Sequence, residues 1–281
     1  MARGMSLHIG LNRVDPNHYD GWDGALAACE FDARDMEAIA KRSGFATRTL
    51  MTAEATADAV LTAISDAADE LSAGDVFFCS YSGHGGQVPD RNDEAEADRS
   101  DETWVAYDRQ IVDDELYVQW GRFAPGVRIF VVSDSCHSGS VTRRIDDHDV
   151  PDPVSTRDKA AAESPRYRAM PRDVMIATYR ANADMYDEIQ RQVPGAEQAD
   201  PKASVLLISG CRDDQLSLDG FSNGLFTENL LAVWDDGAWE GGYPEFRETI
   251  RARMPERQQP DYYPVGAPNP EFENEKPFTI G

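Results

Sequence analysis

Three short stretches of this chain are almost continuously apolar and bounded by turn residues: Asp75-Val-Phe-Phe-Cys-Ser-Tyr81, Val127-Arg-Ile-Phe-Val-Val-Ser133 and Ser204-Val-Leu-Leu-Ile-Ser209. A strand with one face in water alternates polar and apolar residues, whereas a strand covered on both faces does not. These runs therefore demand a sheet with cover on each side, and the segments between them supply it. Ala25 to Ser43 carries Leu26, Cys29, Met36, Ile39 and Ala40 at helical spacing and stops at Gly44. Thr56 to Leu71 repeats the pattern with Val60, Leu61 and Ile64 and closes at Gly74. Ser6 to Leu11 and Phe45 to Leu50 read as further strands. Strands alternating with helices make βαβ units, so the expected fold is α/β, with a mostly parallel central sheet and helices on both faces.

Two stretches break that rhythm. Pro89 to Glu102 is crowded with Asp, Glu and Arg and reads as an exposed loop. Arg143 to Pro171 holds four prolines and much charge and reads as a mobile insertion. Arg172 to Val193 returns to helical composition, and Gly224 to Trp234 and Glu245 to Met254 are further helices. With 281 residues and no solenoid repeat, the best parse is one domain over 1–281, interrupted at about 143–171.

The formal net charge is −24, which would repel nucleic-acid phosphates and anionic membranes. It suits a cationic peptide, a basic protein or a divalent metal. No run nears the roughly 18 apolar residues of a membrane helix, and the first ten residues lack the apolar core of a signal peptide. Cys29, Cys79, Cys136 and Cys211 are widely spaced, with no Cys-x-x-Cys pair. They read as reduced thiols in a cytoplasm, one of them chemically active.

Chemistry collects where two of the apolar runs end. Ser82-Gly-His-Gly-Gly86 follows the first, and Asp134-Ser-Cys-His-Ser-Gly-Ser140 follows the second. In open α/β sheets the carboxyl ends of strands carry the ligand site, so a histidine and a cysteine arrive at one edge. Small neighbours leave the Cys136 sulfur reachable. An imidazole at His84 takes its proton or holds the thiolate, and the N–H groups of Cys136 and Gly85 are placed to stabilise an oxyanion. His137 is a rival base, although neighbours in sequence rarely face each other. Cys29, Cys79 and Cys211 read by themselves as small core residues.

Tyr81-Ser-Gly-His-Gly-Gly-Gln-Val88 and Asp134-Ser-Cys-His-Ser-Gly-Ser140 resemble the two catalytic blocks of metacaspases, with the histidine about 50 residues before the cysteine as in caspases. Asp101-Glu-Thr-Trp-Val-Ala-Tyr-Asp108, Ile111-Val-Asp-Asp-Glu-Leu116, Ser209-Gly-Cys-Arg-Asp-Asp-Gln215 and Asn223-Gly-Leu-Phe-Thr227 extend the likeness from about Leu7 to about Pro264, with no N-terminal prodomain expected. The resemblance implies a caspase-like three-layer sandwich and a cysteine endopeptidase that cuts after Arg or Lys. Cys136 would be the nucleophile and His84 the general base and acid. Cys29, Asp32, Ser82 and Asp134 would line the pocket for the basic side chain, where two carboxylates favour a cation and repel an Asp.

The family's calcium site matches Asp101, Asp113 and Asp114, and hard oxygens suit Ca2+. Its fourth carboxylate falls at Arg143, with Asp146 or Asp147 as substitutes. The implied partners are basic peptides or proteins, and the implied state is a monomer. The competing readings are a caspase-like or legumain-like hydrolase of other specificity, and an inactive caspase-fold interaction module.

Overall fold

A computed structural model describes residues 1–90, 100–136, 166–193, 201–212 and 215–281. The first half of the chain runs β1 (Gly4–Gly10), α1 (Cys29–Arg42), β2 (Ala46–Met51), α2 (Ala57–Glu70), β3 (Val76–Ser82), β4 (Gly85–Pro89), β5 (Ser100–Val105), β6 (Gln110–Val112), α3 (Asp113–Arg122) and β7 (Arg128–Asp134). The second half runs β8 (Arg166–Tyr167), α4 (Arg172–Ala181), α5 (Ala183–Gln192), β9 (Ser204–Ser209), β10 (Leu218–Asp219), α6 (Leu225–Trp234), α7 (Tyr243–Arg251), β11 (Asp261–Gly266) and α8 (Pro270–Asn274).

The three apolar runs become β3, β7 and β9, inside a six-stranded sheet of order β11-β9-β7-β3-β1-β2. Every pair in it is parallel except β11 with β9. All seven residues of β3 and of β7 are buried, as cover on both faces requires. Successive side chains point to opposite faces. Phe77, Cys79 and Tyr81 pack with Val60 and Ile64 of α2 and Leu116 and Trp120 of α3. Phe78 on the other face joins Met36 and Ile39 of α1, Phe226 and Leu230 of α6, Phe246 of α7 and Phe272 of α8. The result is the expected three-layer sandwich. A small antiparallel sheet, β4-β5-β6, stands apart, and β8 pairs with β10.

Four local expectations need correction. Gly85 and Gly86, read as loop, open β4 because they pair with Trp104 and Thr103 of β5. Ser100 to Glu102, read as the end of an exposed loop, begin that β5 partner. The helix expected over Arg172–Val193 is broken at Asn182 (φ −125°, ψ 22°). There the Asn side chain donates to the Thr178 carbonyl at 2.9 Å, the local bonding by which Asn competes with a continuing helix. Finally, the stretch expected to be a mobile insertion ends in the ordered segment Arg166–Met170. The part of that insertion before Arg166 lies outside the described residues.

The Phe78 ring stands at 5.1 Å from His8, 5.5 Å from Phe130 and 5.1 Å from Phe278, centroid to centroid. Phe78→Ala should therefore lower stability by about 3–5 kcal/mol. Ile176→Ala, at a residue 41% exposed, should cost less than about 0.5 kcal/mol. Urea unfolding of both variants checks this, and similar midpoints for the two would contradict the packing described.

Candidate active site

Register brings the two motif loops together. Ser82, the last residue of β3, lies opposite Asp134, the last of β7. Two residues farther along each chain come His84 and Cys136. A Cβ built on Gly85 would come within 1.8 Å of the Cys136 carbonyl oxygen, so only glycine permits this approach. The Gly85 and Cys136 N–H groups both donate to one acceptor, the Arg168 carbonyl, at 3.0 and 3.2 Å. Arg168 N–H in turn donates to the Ser217 carbonyl at 2.9 Å, extending the β8–β10 pairing. Met170 N–H donates to the Gly85 carbonyl at 2.8 Å. The chain's own Arg166–Met170 thus lies across the Cys136 loop. Cys136 is not reachable as expected but is 0% exposed, with its sulfur against the Ser217 peptide.

His84 is fixed on two sides. Its carbonyl accepts from Tyr81 Oη at 2.6 Å and from Val105 N at 3.0 Å. Its Nε2 lies 3.0 Å from the Gly24 carbonyl. A carbonyl only accepts, so Nε2 carries the hydrogen and Nδ1 keeps a lone pair. Nδ1 is buried and has no hydrogen-bond partner among the described residues. Gly24 sits at φ +56°, a left-handed conformation in which a side chain would crowd Trp22 and His84. The Trp22 ring shields the imidazole at 4.7 Å. Burial lowers the His84 pKa to about 4, and the Gly24 carbonyl opposes that shift. The ring is therefore neutral at pH 7.

Beside His84 and Cys136 is a buried acidic pocket, and Arg168 fills it. The guanidinium, 0% exposed, meets Asp134 Oδ2 at 2.8 Å, Asp32 Oδ2 at 2.6 Å and Asp219 Oδ1 at 3.1 Å. Nη1 also donates to Ser82 Oγ at 2.8 Å and to the Asp134 carbonyl at 3.2 Å. Each carboxylate is held from behind. Asp134 accepts from Ser217 Oγ and Thr227 Oγ1 at 2.7 and 2.8 Å. Asp32 accepts from Ser82 Oγ, Asn223 Nδ2 and Gly224 N at 2.7, 3.0 and 3.1 Å. Burial pushes Asp32 up to about 6, with Arg168 opposing and the Asp134 charge adding. Cys29 is buried, which pushes its thiol up, and the charges of Arg168, Asp219 and Asp32 all act on it. Cys29, Asp32, Ser82 and Asp134 therefore share one environment.

A caspase-domain model matches residues 14–277. The chain belongs to the caspase-domain family. It is similar to metacaspase-1A of Aspergillus clavatus, 33% identical over 48% of this chain and 33% of that protein. It is likewise similar to metacaspase-2 of Trypanosoma brucei brucei, 27% identical over 76% of this chain and 55% of that protein. The chain thus spans a third to about half the length of these curated relatives. Protein GSU0716 from Geobacter sulfurreducens superposes with a TM-score of 0.87 at 50% identity over 99% of both chains. Caspase-1 from Spodoptera frugiperda shares the fold, with a TM-score of 0.55 at 12% identity over 94% of this chain and 88% of that one.

In this caspase domain the three aspartates matched to calcium lie on the small sheet and α3. Asp101 on β5 is 5% exposed and Asp114 in the first turn of α3 is 2% exposed, while Asp113 is half-buried. Among the described residues no group of three or more His, Cys, Asp or Glu side chains is placed to hold a metal ion. These residues alone do not fit a calcium cage. Arg143, Asp146, Asp147 and the rival base His137 lie outside the described residues.

Sequence reasoning missed three contributors. Gly24 offered no signal beyond a glycine. Asp219, in Leu218-Asp-Gly220, reads as a turn aspartate. Arg168 lies in the stretch read only as proline-rich and charged, although Met170 before Pro171 restricts the chain to extended backbone, the form a strand-like segment needs. Arg168→Ala would leave three buried carboxylates without their cation, a change that strongly disfavours the docked segment. Alkylation of Cys136 by iodoacetamide should then speed up at least tenfold, as followed by mass spectrometry. An unchanged rate would mean that Arg166–Met170 does not cover the sulfur.

Proposed function

We propose that this chain is a cysteine endopeptidase that cuts after arginine, and less well after lysine, through Cys136 and His84. The observation that carries the reading is Arg168, whose side chain fills the acidic pocket while its carbonyl accepts from the Gly85 and Cys136 N–H groups. That is the posture a substrate needs, with a cation anchored and the scissile carbonyl between two donors.

In the reaction, the Cys136 thiol gives its proton to His84 Nδ1 and the sulfur attacks the carbonyl carbon. The Gly85 and Cys136 N–H groups hold the resulting oxyanion. The C–N bond breaks as His84 returns the proton to the leaving amine, which leaves a thioester. Water, deprotonated by His84, releases the acid and restores the thiol. Gly24 keeps Nδ1, not Nε2, available as the base. Calcium enters only as a proposed modulator: Asp101, Asp113 and Asp114 would need further oxygen donors to hold it, and no step passes through it. The chain is further proposed to work as a single domain and a monomer in the cytoplasm. All four cysteines are free thiols, and no helix among the described residues is long and apolar enough to cross a membrane.

The fork explains the order of preference. Nη1 and Nη2 each reach separate acceptors, and a lysine ammonium reaches one set at a time. Each charge-assisted bond contributes about 1.5–3 kcal/mol, so Arg should exceed Lys about tenfold in kcat/KM. Arg should exceed Asp or norleucine by on the order of a hundredfold or more. A fluorogenic panel with Arg, Lys, Asp, Asn and norleucine before the scissile bond, read with and without calcium, tests this. Cys136→Ala and His84→Ala should each remove nearly all cleavage, because nucleophile and base act as a unit. Preference for Asp or Asn, or activity surviving in Cys136→Ala, would overturn the reading. Preference should also fade in acid. Burial raises the Asp32 pKa, and a carboxyl loses its charge as pH falls through its pKa, so KM for the Arg peptide should rise in acid while norleucine cleavage does not follow.

A further inference from the structure

The third carboxylate of the pocket faces two ways. Asp219 Oδ1 meets Arg168 Nη2 at 3.1 Å, while Ala27 N donates to Oδ2 at 2.8 Å and Ala28 N to Oδ1 at 3.3 Å. Its side chain is 1% exposed. Three residues before Ala27 stands Gly24, whose carbonyl holds His84 Nε2. Among the described residues the loop between them is also held by Leu26 N on the Asn12 carbonyl at 3.0 Å and by Asn12 Nδ2 on the Ala27 carbonyl at 3.4 Å, and Val14 N donates to the Asp23 carbonyl just before it at 3.0 Å. One short loop is therefore tied at one end to the group that reads the substrate's cation and at the other to the carbonyl that orients the base. The bonds described for Asp32 and Asp134 run instead to Ser82, Asn223, Gly224, Ser217 and Thr227.

We propose that Asp219 is a positioning residue that couples a basic side chain in the pocket to the placement of His84, so that the pocket governs turnover as well as binding. This rests on the Arg-cutting reading. Once Arg168 has left the pocket and it is empty or holds a neutral side chain, three neighbouring carboxylates repel one another without a cation between them. Asp219 is then drawn from its place, and the Ala27 and Ala28 amides and the Gly24 carbonyl move with it. A bound guanidinium restores all of these together. Binding energy from a remote part of the substrate is thereby used at the reacting centre.

Asp219→Asn keeps the shape, but its NH2 must face either the guanidinium or an alanine N–H, donor against donor. With an Arg peptide, kcat should fall at least tenfold, whereas Asp32→Asn should act mainly on KM. The charged groups acting on the imidazole are Asp219, which raises its pKa, and Arg168, which lowers it. Asp219→Asn should therefore move the His84 limb of the pH–rate profile to lower pH. Asp219→Glu, which keeps the charge, should recover part of kcat and serves if the Asn variant fails to fold. An activity-independent arm uses uncut Cys136→Ala protein, in which the His84 imidazole is followed by NMR. Adding Asp219→Asn should shift its resonances and titration, and adding Asp32→Asn should leave them. Unmoved His84 signals, or a change in KM alone, would overturn the coupling. If wild type cuts no Arg peptide, the Arg-cutting reading fails by itself, and the NMR arm still decides whether Asp219 positions His84.

Discussion

The site is organised around one buried cation. Three carboxylates and a hydroxyl converge on the Arg168 guanidinium, each fully shielded from water. Buried charges survive only when paired and hydrogen-bonded, so these groups depend on a cation in their midst. This requirement accounts for much of the local structure. It explains why Arg166–Met170 is ordered, why Ser82, Ser217, Thr227 and Asn223 all point their polar atoms inward, and why the cysteine beside the pocket is covered. With Arg168 removed, the same pocket presents excess negative charge to whatever enters next, which is the physical basis of the proposed selection for a basic side chain.

The sheet makes this convergence inexpensive. Because β3 and β7 are parallel neighbours, Ser82 and Asp134 end at the same level, and each loop delivers a pocket residue first and then, two positions later, the residue proposed to react. Tight passage of one backbone past the other at Gly85 then points two N–H groups at a single carbonyl. The imidazole is held by the Gly24 carbonyl and shielded by Trp22 rather than held by a carboxylate, while Tyr81 Oη fixes the His84 backbone. Its neutral state follows from burial, and its direction from one carbonyl.

The architecture was largely legible, because burial on both faces leaves a mark in sequence. The runs around Phe77, Phe130 and Leu206 are apolar for that reason, and the segment read as helical from Thr56 becomes α2, whose N-cap is the Thr56 side chain. The pairing of His84 with Cys136 was legible because both follow such strands. Asp32 and Asp134 were placed in the pocket only through the resemblance, since a helix carboxylate and a turn carboxylate look alike before folding. Less was readable where long-range contacts decide. Gly85–Gly86 becomes strand through β5, and Asp219 joins the pocket because β10 pairs with β8. Arg168 is buried because acidic groups from three distant segments surround it, and nothing local distinguishes it from Arg166.

Arg168 and its carbonyl stand where a substrate's arginine and scissile carbonyl are proposed to stand, which makes Arg168–Ala169 the bond that Cys136 is expected to cut. The most direct measurement is the intact mass of purified wild type and Cys136→Ala protein after incubation at neutral pH, with the termini of any fragments sequenced. Wild type should yield fragments ending at Arg168 and beginning at Ala169, and Cys136→Ala a single uncut chain. Cutting only at other sites, or an active wild type that stays full length, would contradict it.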